Sequence, residues 1–180
     1  MNDHLTELEQ YDYIDDDYFD KAIGKYSSLI GEFIMKFSYL EHEIEIAIAE
    51  FVSERCHDVG YLFITKIDRM SDKIDLFYKY YKNLEHCIEK ERTQLKEIVK
   101  AITSMSEFRN KLAHAKWQSI QKDGRIRVKI KSNKSTGVIQ FKNEIIKPKD
   151  IRTKIEEIDS LINKIDEYRE EVNRHSSYYF

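Results

Sequence analysis

Five Gly and one Pro in 180 residues leave almost nothing in this chain to interrupt a helix. Long helices are the expected outcome, and the spacing of apolar residues says where they run. From about Lys21 to Arg55, Tyr26, Ile30, Phe33, Phe37, Leu40, Ile44, Ala47 and Phe51 recur at alternating threes and fours. Ile34, Ile46 and Ile48 widen that stripe enough for cover on more than one side. Residues 58 to 67 read as a short helix or bent segment. A second helix starts at Asp68 or Ser71 and runs through Ile74, Phe77, Tyr78 and Tyr81, tyrosines whose helical spacing suits packing better than base stacking. The third long helix spans about Glu85 to Ala115. A last one opens with Pro148 in its first turn and carries Ile151, Ile155, Ile158, Ile162, Ile165 and Val172.

Between the last two helices the period falls from 3.6 to 2. Arg125-Ile-Arg-Val-Lys-Ile-Lys131 alternates cation with β-branched residue after an Asp123-Gly124 turn, and residues 138 to 141 offer a return strand. The fold class is therefore mainly all-α: an antiparallel bundle of about four long helices, with a small β-hairpin or meander inserted before the last. Residues 21 to 172 form one domain containing a basic β insert at 116 to 142. An acidic arm, 1 to 20, precedes it, and a frayed tail, 173 to 180, follows.

Composition narrows the class. A chain with 41% hydrophobic and 35% charged residues can bury a core and stay in water. No apolar run approaches the ~20 residues a membrane helix needs, and the acidic beginning is no signal peptide, so the expected location is the cytoplasm, without membrane contact. Cys56-His57 and His86-Cys87 look like a four-ligand set, but neighbours on a helix point about 100° apart and chelate poorly, so no metal site and no cofactor are expected. The net charge of -3 conceals an asymmetry. Residues 1 to 20 carry eight acids and no Lys or Arg, whereas residues 109 to 154 carry fourteen Lys or Arg against three acids, a net of +11. Such a block attracts a polyanion. The arm is either a solubilising tail or a mimic of that polyanion, docked on the basic block.

At the head of the basic block stands Arg109-Asn-Lys-Leu-Ala-His114. Arg109 falls on the stripe set by Leu95, Ile98, Ile102, Met105 and Leu112, where a guanidinium needs a carboxylate, an anion or a wet cleft. Asn110 and His114, four apart, share the adjacent face. A permanent cation, an amide and an imidazole suit metal-free RNA cleavage, which needs a base or acid near the 2'-OH and a cation against the phosphate.

The motif, its position on the third long helix and the Phe37-Ser-Tyr-Leu-Glu41 stretch of the first resemble the HEPN superfamily (higher eukaryotes and prokaryotes nucleotide-binding). In its ribonuclease members, Arg, a polar residue, spacers and His carry catalysis. The resemblance covers about residues 20 to 172 and implies catalytic roles for Arg109, Asn110 and His114. It further implies a homodimer with a composite site, RNA as substrate, products ending in 2',3'-cyclic phosphate and 5'-OH, and a toxin or antiphage effector with a possible antitoxin or regulatory partner. Members silenced by nucleotidylation carry Tyr two residues after the His, where this chain has Lys116. Lys111, Lys116, Arg125, Arg127, Lys129 and Lys131 are the expected RNA-binding cations, the last four in one row beside His114 at about 7 Å spacing. Glu41 and Glu45 are candidates to orient Arg109. Two other readings use the same residues: a HEPN module that grips nucleotide or RNA without cleaving it, and a helical dimeric adaptor in which Arg109 pairs with a core carboxylate and His114 caps a helix.

Overall fold

The computed structural model describes residues 16–52, 57–84, 89–132 and 139–176, without the side chains of 16, 17, 57, 130–132, 139–141, 175 and 176. The acidic arm up to residue 15, the Cys56-His57 and His86-Cys87 pairs and the end of the tail lie outside the described residues or side chains. The elements are α1 (Asp16–Val52), α2 (His57–Ile64), α3 (Met70–Lys82), α4 (Glu89–His114), β1 (Arg125–Ser132), β2 (Ile139–Ile145) and α5 (Pro148–Ser176), with a 3-10 turn at Trp117–Ser119. The fold is mainly α, with a two-stranded antiparallel hairpin before the last helix. The chain divides into two compact units, residues 1–34 with 108–154 and residues 35–107 with 155–180.

Boundaries depart from periodicity where end chemistry decides. Among the described residues helix α1 runs from Asp16, so that positions 16 to 20, counted with the acidic arm by composition, are helical. Helix α3 takes Arg69 as its N-cap, without a side-chain cap, so neither Asp68 nor Ser71 caps it. Helix α5 begins as Pro148 predicts; the Asp150 carboxylate accepts from the Lys147 backbone N–H at 2.8 Å, occupying a donor the helix cannot use.

The first unit assembles around the hairpin. Gly124 adopts φ +86°, a conformation that favours glycine, and its N–H closes a turn onto the Gln121 carbonyl at 2.8 Å. Ile126, Ile146, Ile151, Leu112 and Ile120 are buried, and Tyr26 of α1 packs its ring on Trp117 at 5.3 Å. The Tyr26 hydroxyl donates to the Ile146 carbonyl at 2.9 Å, tying α1 to the strand end. Tyr26→Phe leaves that buried carbonyl without its donor and is expected to cost about 1–3 kcal/mol, read as a lower urea midpoint with unchanged m-value.

In the second unit Leu40, Ile44, Phe77, Leu95, Ile102, Ile158 and Ile165 are buried. Phe51, Phe77 and Tyr168 surround Tyr81 with ring centroids 4.6, 4.7 and 5.3 Å away. The α3 tyrosine at the centre of that cluster is a packing residue. Gly60 of α2 lies so close to α1 that a Cβ there would overlap the Ala49 backbone. Two ionic clusters are set into this core. Lys73, with its side chain 8% exposed, is held by Glu41 and Glu45, each at 2.6 Å. Arg169, 14% exposed, meets Glu50 at 2.6 Å, Asp166 at 3.2 Å and Glu43 at 3.7 Å.

Candidate functional site

Arg109, Asn110, Lys111, His114, Lys116 and the described part of the hairpin all belong to the first unit. Phe108 packs edge-on against Phe33 of α1 at 5.2 Å, which fixes the last turns of α4. At the helix end the Trp117 indole N–H donates to the Leu112 carbonyl at 2.9 Å, one of the acceptors that a helix C-terminus leaves over. His114 is the last residue of α4 and is exposed, so water and ligands reach its imidazole.

Arg109 is half-buried and Asn110 exposed. Because α4 stays helical through His114, Arg109 and His114 stand about 140° apart around its axis and about 7.5 Å along it. A hydrogen bond moderates that divergence. Arg109 Nη1 donates to Asn110 Oδ1 at 3.3 Å, and Asn110 is about 40° from His114 around the same axis. The amide that accepts from the guanidinium thus stands between Arg109 and His114 around the helix axis.

The carboxylates expected to orient Arg109 are engaged elsewhere: Glu41 and Glu45 both grip Lys73. Burial works against a charged Lys73, but the hydrogen bonds it donates to the two carboxylates outweigh it and hold the ammonium above its ordinary pKa.

The row of four cations is corrected by the strand register. Arg125 pairs with Ile145, Ile126 with Glu144 and Arg127 with Asn143; then Lys129 pairs with Lys142, because Val128 is an extra residue in a β-bulge. Partners across an antiparallel ladder share a face, and Asn143 and Lys142, adjacent on β2, point to opposite ones. Arg125 and Arg127 therefore share one face with Asn143 and Ile145, while Lys129 and the backbone position of Lys131 belong to the other, with Lys142, Glu144 and buried Ile126. The Lys131 side chain is outside those described.

Lys111 reaches across to that second face, where Glu144 takes it at 2.9 Å and Lys142 at 2.8 Å. Burial opposes the Glu144 charge, yet hydrogen bonds from Lys142 and Lys111 more than offset it and hold the carboxyl below its ordinary 4.5. A depressed carboxyl contributes stability in full above its unfolded-state value and loses it as pH falls through the lower folded-state value. The tie from α4 to β2 is thus expected to weaken below about pH 4.5, and Glu144→Gln to flatten the acid side of the urea-midpoint profile. Lys116 is exposed, as are Arg125 and Lys129, whereas Arg127 is half-buried. Arg125 also lies 3.3 Å from Asp123.

The groups missed in the sequence are Lys73, Arg169 and Asn143. Arg169 had the same signal as Arg109, a cation continuing an apolar stripe, here Ile158, Ile162, Ile165 and Val172. A cavity of about 760 Å³ in the second unit is lined from α4 and α5, among others by Gln94, Ile98, Met105, Leu161 and Lys164. No motif residue lines it. Among the described residues no group of His, Cys, Asp and Glu could hold a metal ion, and no helix is long and apolar enough to cross a membrane. No family model matches the chain, and no curated protein or solved structure matches it either.

Proposed function

We propose that the chain is a metal-independent endoribonuclease of HEPN type, acting in the cytoplasm as a toxin or antiphage effector under an antitoxin or other regulatory partner. The reading is carried by the Arg109 to Asn110 hydrogen bond, which ties a permanent cation to an amide on the same side of α4 as an exposed imidazole at the helix end. The ribose 2'-OH attacks the adjacent phosphorus, the P–O5' bond breaks, and the products end in 2',3'-cyclic phosphate and 5'-OH. The nucleophile is the substrate's own hydroxyl, so the reaction needs no metal-activated water. His114 takes the proton from the 2'-OH or delivers one to the departing 5'-oxygen. Arg109 meets the negative charge that builds on the phosphate, and Asn110 holds Arg109. The wide angle between Arg109 and His114 on one helix supports a composite site, in which a second copy brings the complementary member of the pair.

That same angle favours a second reading: a module that grips RNA phosphates without cutting them. Incubation of the pure protein with mixed RNA in EDTA, followed by end-group analysis, separates the two. Cyclic phosphate ends support the nuclease. Intact RNA that comigrates with the protein supports the binder, and intact RNA left unbound removes both.

A further inference from the structure

The bulge that breaks the cation row also builds a different surface. Arg127 pairs on one side with Asn143 of β2 and on the other with Lys116, through an isolated antiparallel bridge in which the Lys116 N–H donates to the Arg127 carbonyl at 2.8 Å. Bridge partners share a face, so Lys116, Arg127 and Asn143 form a row across three chain segments at about 5 Å intervals. Arg125 and Ile145 form the next row on that face, about 7 Å along the strands. The inner face buries Ile126 and gathers its acid, Glu144, against Lys111 and Lys142. The outer face exposes Arg125, Lys116, Asn143 and Ile145, the last at 52%.

This face sets an exposed branched aliphatic and an exposed amide on β2 beside the cations of β1 and Lys116, with Asp123 3.3 Å from Arg125. Contacts to phosphates carry no sequence information, whereas an amide reads base edges and an apolar side chain gives a base a surface to lie on. We infer that this outer face binds single-stranded RNA, with Lys116, Arg125 and Arg127 on the phosphates and Asn143 and Ile145 on the bases, so that β2 sets the sequence preference. The inference rests on the RNA-directed reading of the chain and adds where the strand lies and which residues select it. Lys129 and Lys142, on the other face, are spectators.

The test is fluorescence anisotropy with the full chain and labelled oligo-U, oligo-A and oligo-C RNA, titrated over a range of salt. Arg125→Ala and Arg127→Ala are expected to weaken all three oligonucleotides alike and to lower the salt slope by about 0.7 each. Asn143→Ala and Ile145→Ser are expected to change the ratio of affinities among the three by about fivefold or more, at unchanged slope. Lys129→Ala with Lys142→Ala is expected to stay within about twofold of the parent. Arg127 is half-buried, so circular dichroism accompanies each variant and exposed Arg125 decides should the Arg127 variant unfold. Equal losses from the Lys129 and Lys142 variant, or an unaltered base preference in the Asn143 and Ile145 variants, overturn the inference while the RNA-directed reading stands. A parent protein that binds none of the three oligonucleotides overturns both.

Discussion

Arg169→Ala is expected to lower the unfolding free energy by about 3–5 kcal/mol, a large part of what holds a domain of this size together. The guanidinium is 14% exposed and serves three carboxylates, Glu50 at 2.6 Å, Asp166 at 3.2 Å and Glu43 at 3.7 Å. Burial pushes the nearby Tyr81 phenol far above its ordinary value, with Arg169 pulling the other way. Truncation removes the countercharge that Glu43, itself 12% exposed, shares with Glu50. The larger cost is that stranded negative charge rather than the lost attraction. Adding Glu50→Gln to Arg169→Ala should therefore recover part of the loss, whereas contacts that contribute independently would add their costs. Urea unfolding of the two single variants and the double variant measures both quantities. Arg169→Lys should rescue little, since a point charge cannot spread over three acceptors as a planar fork does.

His114→Ala should reduce RNA cleavage by about 10²- to 10⁴-fold, the usual share of a positioned general acid or base, while RNA affinity stays within a few-fold. His114 is exposed at a helix end, so the fold loses little packing with it. Arg109→Ala should differ in kind, depressing rate and affinity together, because in the proposed reaction the guanidinium would meet the phosphate before as well as during the chemical step. Single-turnover cleavage with saturating enzyme, paired with anisotropy, separates the two patterns. A His114→Ala protein that cuts as fast as its parent ends the nuclease proposal.

The contrast between Arg109 and Arg169 says how far periodicity reaches. Both continue an apolar helical stripe, and on spacing alone both call for a partner. Arg169 found three carboxylates on two helices, two of them on α1 more than a hundred residues away in sequence. Arg109 is half-buried and bonds to its own neighbour. Spacing says that a cation leaves the solvent-facing side of a helix; it does not say what waits there. Glu41 and Glu45 make the same point in reverse, since helical spacing aligned them and Lys73 of α3 claimed them both.

Helix α5, the stripes of α1 and α4, the Asp123-Gly124 turn and the hairpin before the last helix could all be read from residue order. Each depends on interactions within a few positions along the chain: side chains recurring every third or fourth residue, a ring that presets one dihedral, a glycine free to take φ +86°. The face on which each basic side chain of β1 emerges could not be read that way. Arg125 to Lys131 alternates without a flaw, and nothing local marks Val128 as surplus. Register is settled between strands, where burying Ile126 and pairing Glu144 with Lys111 and Lys142 outweigh unbroken alternation, and that choice divides the cations between two faces.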